Sequence, residues 1–237
     1  ARYVGVAEAA GVPLIVGLNF RYLAVTQALR ELLRSGAIGR PEFGRFLYER
    51  WRDGMREGLN RYPLTMDHPM LWEQSIHHFD LMRYVYGTDA TRVQAHAFNP
   101  GWSMYRGDTN VAALIHFENG LFVTYQGTWQ AGHEPMNFDW RTDGSDGIAV
   151  QSSMFGDLGW APRMQPDLTG VPLPPHEPWI TDAAALLRMF VATCRGAEPE
   201  CTGRDHLQSL YMLEACIRSS TRRASVEISE IRETAEG

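Results

Sequence analysis

The sequence predicts an α+β fold: a mostly antiparallel open sheet with helices on one face. Three observations carry that expectation. Strand-like runs crowd together between residues 90 and 152. Two of them, "TNVAALIHF" and "LFVTYQGTW", meet at Asn119-Gly120, a strong hairpin signal. Helical stripes stand before and after that run, the order of an α+β domain.

Taken in order, residues 1–10 read as the tail of a helix capped by Gly11, and "VPLIVGLN" as a buried strand. A chain that starts inside a helix is expected to be a fragment, or a domain without its front. Val25, Leu29, Leu32 and Leu33 make a helical stripe that stops at Gly36. "PEFGRFLYERW" alternates like a strand, and residues 53–68 read as a polar loop. Asp67 is placed to cap the next helix, with Pro69 in its first turn and Gly87 at its end. "ATRVQAHAF", the hairpin pair, "NFDWRT" and "GIAVQS" supply the sheet. Residues 156–180, rich in Gly and Pro, read as a long irregular segment. Thr181 is expected to cap a helix that turns Leu186, Leu187, Phe190, Val191 and Cys194 to the core. Thr202 and Asp205 read as a capping box, and "ASVEI" as a last strand.

The 237 residues can bury a real core, as one large domain or two small ones. A net charge of -6 with no dense basic patch speaks against nucleic acid and anionic membranes. No apolar run approaches the roughly 20 residues that span a bilayer, and no secretory signal is evident. A cytoplasmic location is therefore expected. Cys194, Cys201 and Cys216 lack CxxC spacing and read as buried free thiols. All 22 basic residues are arginine. The lack of lysine excludes Schiff-base chemistry and a phosphate-loop lysine in these residues. Arginine binds anions bidentately but does not release its proton near neutral pH.

The stretch "LWEQSIHHFDLMRYVYG" sets chemistry into an otherwise apolar helix. At about 100° per residue, Trp72, Ile76, Phe79, Met82 and Tyr86 share the core side. Glu73, His77, Asp80 and Tyr84 then form a stripe roughly 60° wide, with His78 and Arg83 toward the flanks. A carboxylate one turn from a histidine can fix its tautomer and raise the basicity of the other nitrogen. A solvated or interdomain face is the plainer reading of the same stripe. Zinc held by His68, His77, His78 and Glu73 is disfavoured: adjacent histidines splay apart and no HExxH occurs, so no metal is expected.

"EQSIHHFDLMRYVYG" resembles the helix motif of the glucose–fructose oxidoreductase / inositol dehydrogenase (Gfo/Idh/MocA-like) family. "AEAAGVPLIVGLNFRY" resembles that family's link between its domains, and "LRELLRSGAIGRPEFGRF" its next helix and turn. The resemblance covers nearly the whole chain and is weakest at 130–180. It implies that residues 1–18 are the last helix and strand of an otherwise missing Rossmann domain, a remnant that precedes the sheet. Residues 19–237 would be the substrate-binding and oligomerisation domain. It further implies an NAD(P)-dependent oxidoreductase acting on a sugar, polyol or related hydroxy compound, inactive as this chain alone. By position, His77 would be the general base and Glu73, where many members carry Asp, its assistant. Asn19, Arg21 and Tyr22 would bind substrate, and Asp80 would be structural. The seven tryptophans invite a sugar-stacking reading, with Trp51 after the first strand placed to line the pocket and bind substrate; core or interface packing is the plainer reading of any one of them. The family's Glu-Lys-Pro motif and a GxGxxG turn do not occur here. NAD or NADP is thus expected in the full-length protein, with none bound to this chain. The family's sheet face commonly packs on a second subunit, which implies a homo-oligomer; Phe117, Phe122, Tyr125 and Trp129 suit that interface or the core. The alternative is a non-catalytic binding or scaffold module of the same fold.

Overall fold

The computed structural model describes residues 1–236, so Gly237, the last residue of the expected 19–237 domain, lies outside the described residues. The strands are β1 (Pro41–Glu49), β2 (Ala90–Phe98), β3 (Asn110–Phe117), β4 (Phe122–Thr128), β5 (Asn137–Gly144), β6 (Gly147–Ser153), β7 (Gly156–Pro162), β8 (Thr169–Gly170) and β9 (Val226–Glu227). They form one sheet in the order β8-β7-β6-β5-β1-β4-β3-β2-β9. Every pairing is antiparallel except β1 with β4, which run parallel. The fold is α+β, and the Asn119-Gly120 hairpin joins β3 to β4 with Gly120 at φ +86°.

The helices are α1 (Arg2–Ala9), α2 (Ala24–Arg34), α3 (Ile76–Tyr86), α4 (Thr181–Cys194), α5 (Gly203–Arg222) and α6 (Ile228–Glu236). A 3-10 turn, Asn19–Tyr22, precedes α2, and another covers Tyr62–Thr65. A π turn, Leu71–Ser75, leads directly into α3. α5 lies along β2, where Ser219 and Ser220 accept from the Ala95 and Ala97 amides at 2.8 and 2.9 Å. Val25, Leu29, Phe46, Phe79, Met82, Tyr125, Trp140 and Leu213 fill the core between helices and sheet. Phe117, Tyr125 and Trp129 are core residues, and Phe122 is half-buried.

Several expectations need correction. "VPLIVGLN" is not a strand: it makes one bridge, Ile15 to Thr202, and leaves Val12 and Leu14 exposed. No neighbouring strand among the described residues offers it a ladder. Residues 156–162 are regular, because β7 turns back on β6. Thr181 does not cap α4; its hydroxyl accepts from the Glu177 amide, in the turn before the helix. α4 leaves Leu187, Phe190, Val191 and Cys194 exposed, since it buries Asp182 and Thr193 instead. Asp67 does not cap the helix that follows; its carboxylate pairs with Arg106 at 2.7 Å. The Thr202 cap is present, with its hydroxyl accepting from Asp205 N at 3.1 Å, and Gly87 closes α3 in the left-handed region.

The loop before α3 is held by backbone. Arg106 N donates to Leu64 O and Asp108 N to Asp67 O, both at 2.9 Å. Gly107 permits that approach: a Cβ there would stand 2.1 Å from the Asp67 carbonyl oxygen. The loop is thereby pinned beside the π turn.

Candidate active site

The π turn decides where the titratable side chains go. Residues four apart stack along an α-helix, but a π turn winds more widely, so side chains at Leu71–Ser75 leave the register of those in α3. The expected stripe therefore separates. Trp72 swings out to 43% exposure instead of joining the core. Glu73 turns toward the loop, where it accepts a 2.7 Å hydrogen bond from the Tyr62 hydroxyl. That bond raises the Tyr62 pKa, with burial adding to it. Among the described residues no hydrogen bond joins Glu73 to His77.

His77 packs its ring on Phe20, with centroids 4.7 Å apart, and its Nδ1 is buried without a partner. Burial pulls its pKa below the ordinary value, against smaller upward pushes from Asp80 and Glu73. At neutral pH the ring is a neutral base with an unused nitrogen.

His78 was expected at a flank and is fully buried. Tyr48 donates to Gln74 Oε1 at 3.3 Å, and the Gln74 amide nitrogen stands 3.1 Å from His78 Nε2. Since that nitrogen only donates, Nδ1 of His78 carries the proton and donates to Tyr125 at 2.9 Å. Tyr125 donates in turn to Ser75 at 2.8 Å. This neutral chain ties the π turn to β4. Burial drives His78 well below its ordinary pKa, which keeps the chain neutral.

Asp80 is buried and accepts from Nε and Nη2 of Arg21, the first at 2.7 Å. Arg21 also reaches Asp205, which accepts from Arg83 at 2.7 Å. Arg83, also expected at a flank, is buried and donates to Asp89 at 2.6 Å and Ser209 at 2.9 Å. Burial pushes Asp205 up, but Arg83 and Arg21 override it and hold the carboxyl below the usual range. Arg21 is thus committed to two carboxylates. Asn19 donates to buried Asp182, and Tyr22 to Glu200 at 3.0 Å. Tyr84 accepts from Gln27 and Arg30, both at 2.9 Å.

The four residues considered for zinc do not assemble: His68 pairs with Asp108 at 2.9 Å, and His78 lies in the core. Asp80, Cys201 and Asp205 do come together, but Arg21 bridges the two carboxylates. Burial pushes the Cys201 thiol up to about 12, so it is no thiolate there.

A cleft of about 750 Å³ opens beside the π turn. Phe20, Trp51, Gln74 and Trp179 are on its walls, so His77 packs on one wall residue and follows another by three positions. Trp51 is 38% exposed and bridges to Gln130. Trp179 packs on Phe20 at 5.4 Å from a left-handed backbone, φ +71°, which is strained for an aromatic residue. Phe20, Tyr62 and Trp179 were missed in the sequence. Phe20 sits inside the quoted Asn-x-Arg-Tyr turn, whereas nothing local marks Trp179.

Residues 26–150 match the family described as the GFO/IDH/MocA C-terminal domain. D-apiose dehydrogenase of Paraburkholderia graminis is 27% identical over 252 residues, covering 96% of this chain and 62% of that protein. The uncharacterized protein y4oX of Sinorhizobium fredii is 32% identical over 152 residues, 59% of this chain and 39% of that one. The chain thus spans less than two thirds of either relative. An Agrobacterium radiobacter oxidoreductase, solved with NAD+, L-tartaric acid and magnesium, shares the fold at TM-score 0.78 and 24% identity, over 96% of this chain and 68% of that one. No described helix is long and apolar enough to cross a membrane.

Proposed function

The chain belongs to the GFO/IDH/MocA C-terminal domain family, and from that membership we propose that it is the substrate side of an NAD(P)-dependent oxidoreductase acting on a sugar, polyol or related hydroxy compound. One observation carries the site: His77 is a neutral base with an unpartnered nitrogen, stacked on a wall residue of the cleft beside the π turn. The names of the apiose dehydrogenase and of the NAD+-bound oxidoreductase support the reaction class and the cofactor class.

A dinucleotide's pyrophosphate needs a strand, a glycine-rich turn and a helix N-terminus. Residues 1–236 hold no such unit: α1 runs into a segment with a single bridge, and no GxGxxG occurs. They do not fit the phosphates of the cofactor. We assign residues 1–18 to the join with a dinucleotide-binding domain, and the chain by itself to an inactive state. What these residues do is bind and deprotonate. The substrate lies in the cleft, with its C–H faces on the aromatic walls of Trp51 and Trp179. His77 takes the proton of the reacting hydroxyl. Glu73 acts on His77 through space, as it bonds Tyr62. Asn19, Arg21 and Tyr22 hold the turn that carries Phe20, and Asp80 anchors Arg21. The open sheet face, with Phe43 and Leu114 exposed, is assigned to a second copy.

The test is NAD(P) reduction with a panel of aldoses and polyols. A protein joining this chain to a dinucleotide-binding domain should reduce cofactor, and residues 1–237 alone should not. Turnover by the lone chain, or none by the joined protein, would overturn the reading.

A further inference from the structure

Within the cleft lie Arg50, Arg52 and Arg56. Elsewhere, Arg45 and Arg141 on the sheet and Arg40 just before β1 each hold a carboxylate at 2.7 to 2.9 Å. The three cleft arginines do not: among the described residues none is ion-paired. Arg50 stands close enough to the Tyr48 hydroxyl to pull its pKa down against the larger upward push of burial. Arg52 sets its guanidinium carbon 4.0 Å from the Trp129 ring centroid, and among the described residues its N–H groups make no side-chain hydrogen bond or ion pair. Their backbone is rigid, since Arg50 N donates to Thr128 O at 3.0 Å and Arg52 N to Trp129 O at 2.8 Å. Asp53 and Glu134 are the carboxylates on the same wall. Three arginines against two carboxylates leave one positive charge in excess, in a chain of net charge -6.

We propose that this cleft selects a substrate bearing a carboxylate, a polyhydroxy acid rather than a neutral sugar, with Arg52 and Arg56 as the specificity-determining residues. The proposal rests on the reading of the cleft as the substrate site. An unpaired guanidinium edge matches a carboxylate bidentately. An excess of one charge suits a monoanion better than a phosphate, whose charge is about -1.5 to -2 at neutral pH.

The test is binding to the 237-residue chain, followed by tryptophan fluorescence, since Trp51 and Trp179 line the cleft. The probes are matched sets in the gluco and galacto series: the aldose, its uronate and its 6-phosphate. The uronate is expected to bind about ten-fold or more tighter than its aldose. Arg52→Gln and Arg56→Gln should each erode that preference. Should Arg52→Gln fail to fold, Arg56→Gln, on an exposed side chain, still reads the effect. Equal binding of aldose and uronate, or a preference that survives both variants, overturns the proposal but leaves the sugar site standing. A 6-phosphate bound tighter than the uronate overturns the carboxylate assignment. Binding of none of them by a chain with native circular dichroism overturns both the proposal and the substrate-site reading.

Discussion

From the middle of α3 onward, Asp80 and Arg83 are saturated by Arg21, Asp205, Asp89 and Ser209. At its N-terminal end, beside the π turn, His77 keeps a buried nitrogen unpartnered, and the nearby cleft holds three arginines that form no ion pair among the described residues. The same residue types serve opposite ends. Where every donor meets an acceptor, the charge builds structure and has nothing left for a ligand. Where atoms are left over in a walled cleft, the fold has kept them for something that arrives. The neighbours His77 and His78 repeat the contrast one peptide bond apart: one is a spare base, the other a satisfied link in a core chain.

Damage to the saturated end should show most strongly as lost stability. Asp80→Ala takes from buried Arg21 the carboxylate that meets two of its nitrogens, leaving only Asp205, and should cost about 3 kcal/mol in urea unfolding. A cost under about 1 kcal/mol would mean that Arg21 readily finds another partner. His78→Ala orphans Tyr125 and Gln74 and should cost about 1–3 kcal/mol or more, with a cavity added. Gly107→Ala forces a Cβ against the Asp67 carbonyl and should cost about 1–3 kcal/mol, read by thermal unfolding. Thr202→Ala removes the α5 cap for about 1 kcal/mol.

The pH dependence has a definite sign. His77, His78 and His206 are all held below their ordinary pKa, in each case chiefly by burial. The unfolded chain therefore takes up protons first as pH falls. Their contribution is fully present above about pH 6.5 and is lost as pH drops toward the folded values, at up to about 1.4 kcal/mol per pH unit for each histidine. Unfolding free energies between pH 7.5 and 5 should slope accordingly, and His78→Gln should flatten the slope. An unchanged slope in that variant would show that His78 is not held neutral by the fold.

Much of this was legible in the sequence. The Asn119-Gly120 hairpin, the Gly87 stop and the Thr202 cap depend on local chemistry, so short windows reveal them. The linked motifs "NFRY" and "EQSIHHFDL" pointed to the family. Periodicity failed at the π turn, because a constant 100° per residue sent Trp72 inward and Glu73 onto His77. It failed again at α4, where the apolar stripe of Leu187, Phe190 and Val191 stays exposed. The ion network of Arg21, Asp80, Arg83 and Asp205 spans contacts up to 184 residues apart, beyond any local pattern. Trp179 joins the cleft through ring contacts with Phe20 and Phe155, which are distant in sequence and leave no local signal.

The most direct measurement is turnover and unfolding free energy together, for His77→Ala in the cofactor-reducing protein that contains this chain. Turnover should fall by a factor of roughly 10² or more while stability stays within about 1 kcal/mol of the parent, since His77 satisfies no other buried group. Near-normal turnover, or a stability loss as large as that of His78→Ala, would contradict the division between a saturated structural end and a free functional one.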